Sequence, residues 1–205
     1  MRINPWGTEA HEADRRIIAR LGIPLIMLAK TEHPDRLDGL TDYRVVALCE
    51  TARGAAWVQD IARHPAIAGL MWGAEDLIAS LNGRSSRHPS GVYRDVARQV
   101  RSRVLIAAKA AGRFAVDAVH IDIADYAGLM EEAEDAAAVG FDATACIHPS
   151  QVEVVRRAYA PSAGEIGWAE RVVRAAERSP GAFRFEGRVI DEPVLRQARR
   201  MLDVD

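Results

Sequence analysis

Two carboxylates and one guanidinium occupy sequence positions that a fold of alternating strands and helices would bring close together. Glu50 ends the apolar run 43–50, Asp76 follows the apolar run 66–72, and Arg2 lies near the N-terminus. Neighbouring strands of a sheet lie about 5 Å apart, so carboxylates at the ends of consecutive strands can bind one cation. With no histidine or thiolate obviously beside them, they favour a hard ion, magnesium first and manganese second.

The same two carboxylates also have a purely structural interpretation. Glu50 precedes Thr51 at the start of a predicted helix and could belong to its cap, and Asp76 could be an ordinary surface residue. Spacing alone gives the two interpretations about equal weight.

The elements that would position these residues are five predicted strands separated by amphipathic helices. The strands are predicted over 23–30, 43–50, 66–72, 114–120 and 142–148, with residues 1–4 as the stump of a sixth. Such βα repeats predict a parallel sheet. A TIM (β/α)8-type barrel fits better than a doubly wound sheet, because no glycine-rich fingerprint follows the first strand and polar residues follow several strands. An open α/β sheet is the alternative.

The character of the chain changes near residue 161. Residues 1–160 carry the predicted barrel units, and residues 161–205 form a predicted C-terminal extension. That extension holds a helix over 165–178, a short glycine-punctuated aromatic segment, and a final helix over 194–202.

Composition excludes several classes of protein. The 205 residues carry a net charge of −2, too small for a field that would attract nucleic acid or an anionic membrane. No apolar stretch approaches the ~20 residues that a membrane span needs, and the N-terminus lacks a signal-peptide core. The two cysteines, Cys49 and Cys146, are predicted to be buried thiols, which favours a reducing, cytoplasmic location.

Other polar residues at strand ends are interpreted as structural. His120 and His148 each end a predicted strand, where a lone histidine is more often a hydrogen-bonded structural group than a ligand. Asp117, Asp122 and Asp125 surround the end of the fourth predicted strand, and capping is the favoured role for them.

The chain resembles the citrate lyase beta-subunit-like family, which includes malyl-CoA and citramalyl-CoA lyases. The matching strings follow the family's order through nearly the whole chain: RIN (2–4), LAK (28–30) with Glu32, ETARG (50–54), GLMWGAEDL (69–77), DAVHIDIAD (117–125), GFDATACIHPSQ (140–151) and GAFRFEGRVIDEP (181–193). The resemblance implies a magnesium-binding (β/α)8 barrel that assembles as trimers or multiples of trimers.

The resemblance also implies roles for individual residues. Glu50 and Asp76 match the metal ligands, and Glu50 then also lies beside the substrate. Arg2 matches a catalytic arginine that contacts substrate oxygens, and Lys30 matches the end of the next strand, where it would support substrate binding. Asp191 matches a catalytic aspartate that a neighbouring subunit's tail delivers over the active site.

One departure from the family concerns the start of the chain. Family members usually carry two further βα units before the arginine strand, with residues associated with the nucleotide end of the thioester. The chain is therefore expected to correspond to the third to eighth units of an N-terminally incomplete barrel. A misassigned start site, a fragment, and a gap filled by another subunit would each explain this.

The expected function is that of a magnesium-dependent carbon–carbon lyase. Its substrate would be a 3-hydroxyacyl-CoA thioester of the citramalyl, malyl or 3-hydroxy-3-methylglutaryl type, cleaved to acetyl-CoA and an oxo product or formed in reverse. Two alternatives remain: a citrate lyase beta subunit that acts on an acyl-carrier thioester, and a catalytically silent homologue.

Overall fold

The computed structural model describes residues 1–179 and 181–202. The chain divides into a first unit, Met1–Val155, and a second unit that begins at Arg156. Each unit is described by itself. In the described part of the chain, no helix is both long enough and apolar enough to cross a bilayer.

The first unit alternates strands with helices. Its elements in chain order are β1 (Arg2–Ile3), α1 (Glu9–Leu21), β2 (Leu25–Leu28), a 3-10 helix (Pro34–Leu40), β3 (Arg44–Cys49), α2 (Ala52–Arg63), β4 (Ile67–Trp72), α3 (Ala74–Ser80), α4 (Asp95–Ala110), β5 (Phe114–Asp117), α5 (Tyr126–Val139), β6 (Ala143–Thr144), a second 3-10 helix (Pro149–Gln151) and α6 (Val152–Tyr159), which runs past the unit's last residue.

All six strands of this unit form one sheet in the order β1-β2-β3-β4-β5-β6, and every neighbouring pair is parallel. In a doubly wound sheet the spatial order of the strands reverses at a switch point, whereas here the spatial order follows the order in the chain throughout. This is the connectivity of a TIM-type barrel, so the predicted α/β fold class is confirmed.

The two faces of the sheet differ in what they bury. Val46, Leu48 and Met71 form an apolar cluster on one face, which we call the site face. Val45 and Cys49 are fully buried on the opposite face, because side chains alternate along a strand. Glu50 continues the row of Val46 and Leu48, so its side chain extends from the site face.

The predicted fifth strand, 142–148, is much shorter in the structure. Only Ala143 and Thr144 pair with β5, because the backbone N–H groups of Ile147 and His148 donate to the side chain of Gln151. The prediction that Cys146 is buried in that strand is therefore wrong, since its side chain is exposed beyond the end of β6.

The second unit contains α7 (Ala163–Ala176), β7 (Phe183–Phe185), β8 (Arg188–Ile190) and α8 (Glu192–Met201). Strands β7 and β8 form an antiparallel hairpin across the turn Glu186-Gly187, where both residues have positive φ, as a tight two-residue hairpin turn requires. The predicted extension ran to residue 205, but residue 180 and residues 203–205 lie outside the described part. That this segment covers a neighbouring subunit stays a prediction.

Candidate metal and substrate site

Glu50 follows β3 directly, and its side chain is held in a buried position. The residue is 7% exposed, and its Oε1 accepts a hydrogen bond from the backbone N–H of Lys30 at 3.2 Å. A Cβ atom on Gly73 would lie 3.0 Å from Oε2, so glycine leaves the room that this carboxylate occupies. Thr51, and not Glu50, caps α2 through the N–H of Gly54, which removes the capping interpretation of Glu50.

Asp76 lies in the first turn of α3, which begins immediately after β4 and Gly73. Its side chain is half-exposed, and its Oδ1 accepts a hydrogen bond from the ammonium of Lys30 at 2.9 Å. Strands β3 and β4 are hydrogen-bonded neighbours, so the two segments that carry Glu50 and Asp76 leave the sheet side by side.

Lys30 contacts both carboxylates, one with its backbone and one with its side chain. It lies two residues after β2 and has φ of +49°, the left-handed region that L-residues occupy at a cost of roughly 1 kcal/mol or more. This backbone turn lets a single residue face Glu50 with its N–H and Asp76 with its ammonium.

Arg2 lies on the same side of the sheet as this group. It pairs in register with Met27, which in turn pairs with Val46 of the site face, and partners in register point to one side. The side chain of Arg2 is exposed, and its positive charge acts to lower the pKa of Glu50.

The pKa of Glu50 is raised to about 7 from its ordinary value of 4.5. Burial is the largest cause and the nearby negative charge of Asp76 the second, while the Lys30 N–H hydrogen bond and the charges of Lys30 and Arg2 oppose them. Conversely, the hydrogen bond and charge of Asp76 raise the pKa of Lys30. The site thus concentrates negative charge that a bound cation would stabilise.

The oxygen donors of this site suit a hard divalent ion. In residues 1–179 and 181–202, no group of three or more His, Cys, Asp and Glu side chains converges to hold a metal. Two carboxylates alone leave most coordination positions to water or substrate oxygens, which is how magnesium is commonly bound in enzymes.

Asp191 belongs to the second unit. It is exposed, and it caps α8 by accepting the N–H of Val194 at 3.3 Å. The structure therefore brings Glu50, Asp76, Lys30 and Arg2 together in the first unit, while Asp191 belongs to the second unit.

The histidines take part in local hydrogen bonds. His120 is buried and its Nδ1 lies 2.9 Å from a carboxylate oxygen of Glu132. His148 accepts the N–H of Ser150 and caps the short helix that follows. These contacts agree with the structural role expected for both histidines.

Two of the aspartates near β5 also have structural contacts. Asp117 is buried, receives hydrogen bonds from Arg101 at 2.7–3.1 Å, and accepts the indole N–H of Trp72. Asp125 caps α5 through the N–H of Gly128.

Sequence reasoning missed two residues that support the rim of the sheet. Gln151 is fully buried and joins two loops, donating to the carbonyl of His120 and accepting the N–H of Ile147, both at 2.9 Å. Ser80 accepts the N–H of Ala52 at 2.9 Å and so links the start of α2 to the end of α3. The string HPSQ was a signal for Gln151, but a polar residue at a predicted helix start is usually exposed.

The part of the chain that carries this site matches a known protein family. The family model described as HpcH/HpaI aldolase/citrate lyase matches residues 1–149, which include Arg2, Lys30, Glu50 and Asp76. The match ends before the second unit begins.

Among curated proteins, the citrate lyase subunit beta-like protein of Mycobacterium tuberculosis is 53% identical over 202 residues, which are 98% of this chain and 74% of that protein. The mitochondrial citramalyl-CoA lyase of Rattus norvegicus is 29% identical, covering 98% of this chain and 67% of that enzyme. The (3S)-malyl-CoA thioesterase of Cereibacter sphaeroides is also 29% identical, covering 98% and 72%.

Among solved structures, the CitE protein of Mycobacterium tuberculosis in complex with magnesium, acetoacetate and coenzyme A superposes with a TM-score of 0.95 at 53% identity, covering 98% of this chain and 76% of that one. RipC from Yersinia pestis gives a TM-score of 0.71 at 31% identity, covering 80% and 78%.

Proposed function

The chain belongs to the HpcH/HpaI aldolase/citrate lyase family, and from that premise we propose that it is a magnesium-dependent carbon–carbon lyase. Its substrate is a 3-hydroxyacyl-CoA thioester of the citramalyl, malyl or 3-hydroxy-3-methylglutaryl type, and its products are acetyl-CoA and an oxo compound. Similar proteins named as a citramalyl-CoA lyase and a malyl-CoA thioesterase support a CoA thioester as substrate.

One observation carries the proposal: a single residue, Lys30, holds the carboxylates that follow two neighbouring strands. Its backbone N–H lies 3.2 Å from Glu50 and its ammonium lies 2.9 Å from Asp76, so both carboxylates contact the same residue. The charge of Asp76 also raises the pKa of Glu50, and two interacting carboxylates of this kind support a site for a divalent cation.

Magnesium fits these residues, with manganese as a substitute, because Glu50 and Asp76 offer oxygen only and the thiol of Cys49 lies buried on the other face of the sheet. When bound, the ion supplies Lewis acidity that polarises a substrate oxygen. The similar CitE protein was crystallised with magnesium.

The cationic side chains complete the binding of an anionic substrate. Arg2, on the site face, stabilises negative charge that develops on the thioester oxygen as the carbon–carbon bond breaks. Lys30 binds the substrate's carboxylate. Together they place positive charge on the β1–β2 side of the two acidic residues.

Proton transfer is the proposed role of Asp191. The substrate hydroxyl releases its proton to solvent water and becomes the carbonyl of the oxo product, and the electrons of the broken carbon–carbon bond pass to the thioester's α-carbon. Asp191 then protonates that carbon to give acetyl-CoA. It comes from a neighbouring subunit of a homo-oligomer, most simply a trimer, so each active site combines residues of two chains.

The test is an assay of a panel of CoA thioesters with magnesium or with EDTA. The proposal requires equal amounts of acetyl-CoA and oxo product, formed only when magnesium is present. Release of free CoA with the hydroxy acid intact would indicate a thioesterase instead. Activity only on an acyl-carrier thioester with partner subunits would indicate a citrate lyase beta subunit, and no turnover of any thioester would indicate a silent homologue.

A further inference from the structure

Lysine is rare in this chain, and one of its two lysines lies at the proposed metal site. Of the 27 basic residues, 25 are arginine and only Lys30 and Lys109 are lysine. Lys109 pairs with Asp142 at 2.6 Å, with side chains 43% and 44% exposed. Lys30 pairs with Asp76 at 2.9 Å, with side chains 45% and 47% exposed. The chain thus contains two similar lysine–aspartate pairs in the same unit, one at the site and one outside it.

The ammonium of Lys30 binds Asp76, a carboxylate that is also a proposed ligand of the metal ion. Asp76 forms a hydrogen bond and an ion pair with Lys30, and its Oδ1 accepts the hydrogen bond from that ammonium. A divalent ion on the same carboxylate would lie within a few ångströms of a like charge. Both cations cannot remain there without strong repulsion, because the Coulomb energy of like charges rises steeply at short distance.

We propose that Lys30 is a displaceable internal cation of this site: its ammonium neutralises Asp76 until a divalent ion takes the carboxylate, and then swings away to face the substrate. This inference rests on the proposed function for the identity of the ion and for the destination of the ammonium. In this exchange a divalent ion replaces the ammonium on Asp76, and Lys30 acts as a positioning residue for Asp76.

The backbone of Lys30 is held by hydrogen bonds, whereas its side chain forms an ion pair at a partly exposed position. Its N–H is bound to Glu50, and its left-handed backbone is set by the neighbouring bonds of Ala29 to Ile3 and of Thr31 to Leu48. The side chain, by contrast, is nearly half-exposed. Movement of the ammonium therefore leaves the hydrogen bond to Glu50 intact.

The residue type also suits displacement. An arginine would bind a carboxylate through a rigid fork with two parallel hydrogen bonds, whereas lysine offers a compact charge on a flexible stem. The chain uses arginine for its buried pair with Asp117, where Arg101 donates through two nitrogens. At the site that must exchange cations, it uses lysine.

Amine labelling with a succinimidyl acetate, followed by mass spectrometry, tests the exchange on the whole 205-residue chain. With only two lysines, Lys109 serves as an internal control in every sample. Addition of magnesium chloride should raise the labelling rate of Lys30 severalfold and leave that of Lys109 unchanged. Asp76→Asn should raise the labelling of Lys30 to the same level without metal, and magnesium should then have no effect.

Calorimetric titration with magnesium of two matched variants provides the second measurement. Lys30→Met should bind magnesium about five- to tenfold more tightly than the natural protein, since a competing charge is gone. Lys109→Met makes the same change in net charge away from the site and should leave the affinity unchanged.

The outcomes separate this inference from the proposed function. If magnesium binds but Lys30 labels at the same rate and Lys30→Met binds no more tightly, the cation exchange is wrong and the metal site stands. If magnesium does not bind the natural protein or Lys30→Met at all, the metal site itself is wrong, and the exchange falls with it.

Discussion

Glu75 and Asp76 are adjacent in the first turn of α3, yet their carboxylates have different partners. Asp76 accepts the ammonium of Lys30 at 2.9 Å, while Glu75 accepts the hydroxyl of Ser86 at 2.6 Å. Successive residues of a helix point about 100° apart, so only one of the two can face the carboxylate of Glu50. This relationship makes Glu75 a natural control for Asp76.

The first prediction compares these two carboxylates. Asp76→Asn should weaken magnesium binding by at least about tenfold, because it removes one of two anionic ligands, whereas Glu75→Gln should retain the natural affinity. Isothermal titration calorimetry of both variants gives the comparison. Equal losses in the two variants would show that general negative charge, and not the position of Asp76, attracts the ion.

The second prediction is that magnesium affinity depends on pH through Glu50. Its pKa is raised to about 7, and a protonated carboxyl is a poor metal ligand. The dissociation constant should be flat above pH 7 and rise by about tenfold for each pH unit below it. Titrations in buffers with different ionisation enthalpies should also detect proton release on binding below pH 7. A constant affinity between pH 5 and pH 8 would contradict the raised pKa.

A third prediction concerns the stability of the metal-free protein. The folded-state pKa of Glu50 lies above its ordinary value of 4.5, so the folded state binds the proton more tightly than the unfolded state. The stabilising contribution is full below pH 4.5 and is lost as the pH rises through 7, by an amount on the order of 2–3 kcal/mol. Urea unfolding with EDTA should show a steeper loss of stability over this range in the natural protein than in Glu50→Gln, which cannot titrate at this position.

The fourth prediction is that Asp191→Asn lowers turnover by about 10²–10⁴-fold, the usual effect of losing one acid–base group, while magnesium affinity stays unchanged. If Asp191 acts in a neighbouring subunit's site, mixing two inactive variants should restore activity. Co-expression of Asp191→Asn with Glu50→Gln would produce oligomers in which some sites combine an intact Glu50 with an intact Asp191. No recovery in verified mixed oligomers would place both residues in the site of one chain.

The fifth prediction separates structural from metal-binding acids. Asp117 is buried, paired with Arg101 and bonded to Trp72, so Asp117→Asn leaves the guanidinium of Arg101 without its main counter-charge. We expect a loss of about 3–5 kcal/mol in the free energy of unfolding. Magnesium affinity of the folded variant should equal that of the natural protein. Weakened metal binding at full stability would instead assign Asp117 to the site.

The sequence was sufficient to predict the parallel α/β architecture, because buried strands and amphipathic helices have different periodicities. It also identified the positions of Glu50 and Asp76, since residues that follow neighbouring parallel strands emerge on one edge of the sheet. The predicted length of the fifth strand, 142–148, was wrong. The backbone N–H groups of Ile147 and His148 donate to the side chain of Gln151 and not to a neighbouring strand, and the apolar pattern of the sequence does not reveal this.

Only the tertiary structure decided how the site is held together. No local pattern predicts that Lys30 adopts a left-handed backbone, that its N–H reaches Glu50, or that its ammonium reaches Asp76, because these contacts span 20 and 46 positions of the chain. The raised pKa of Glu50 has the same origin, since burial and the distance to Asp76 exist only after β2, β3 and α3 have packed. Sequence determines which residues stand at the ends of the strands, and packing determines which of them share an electrostatic environment.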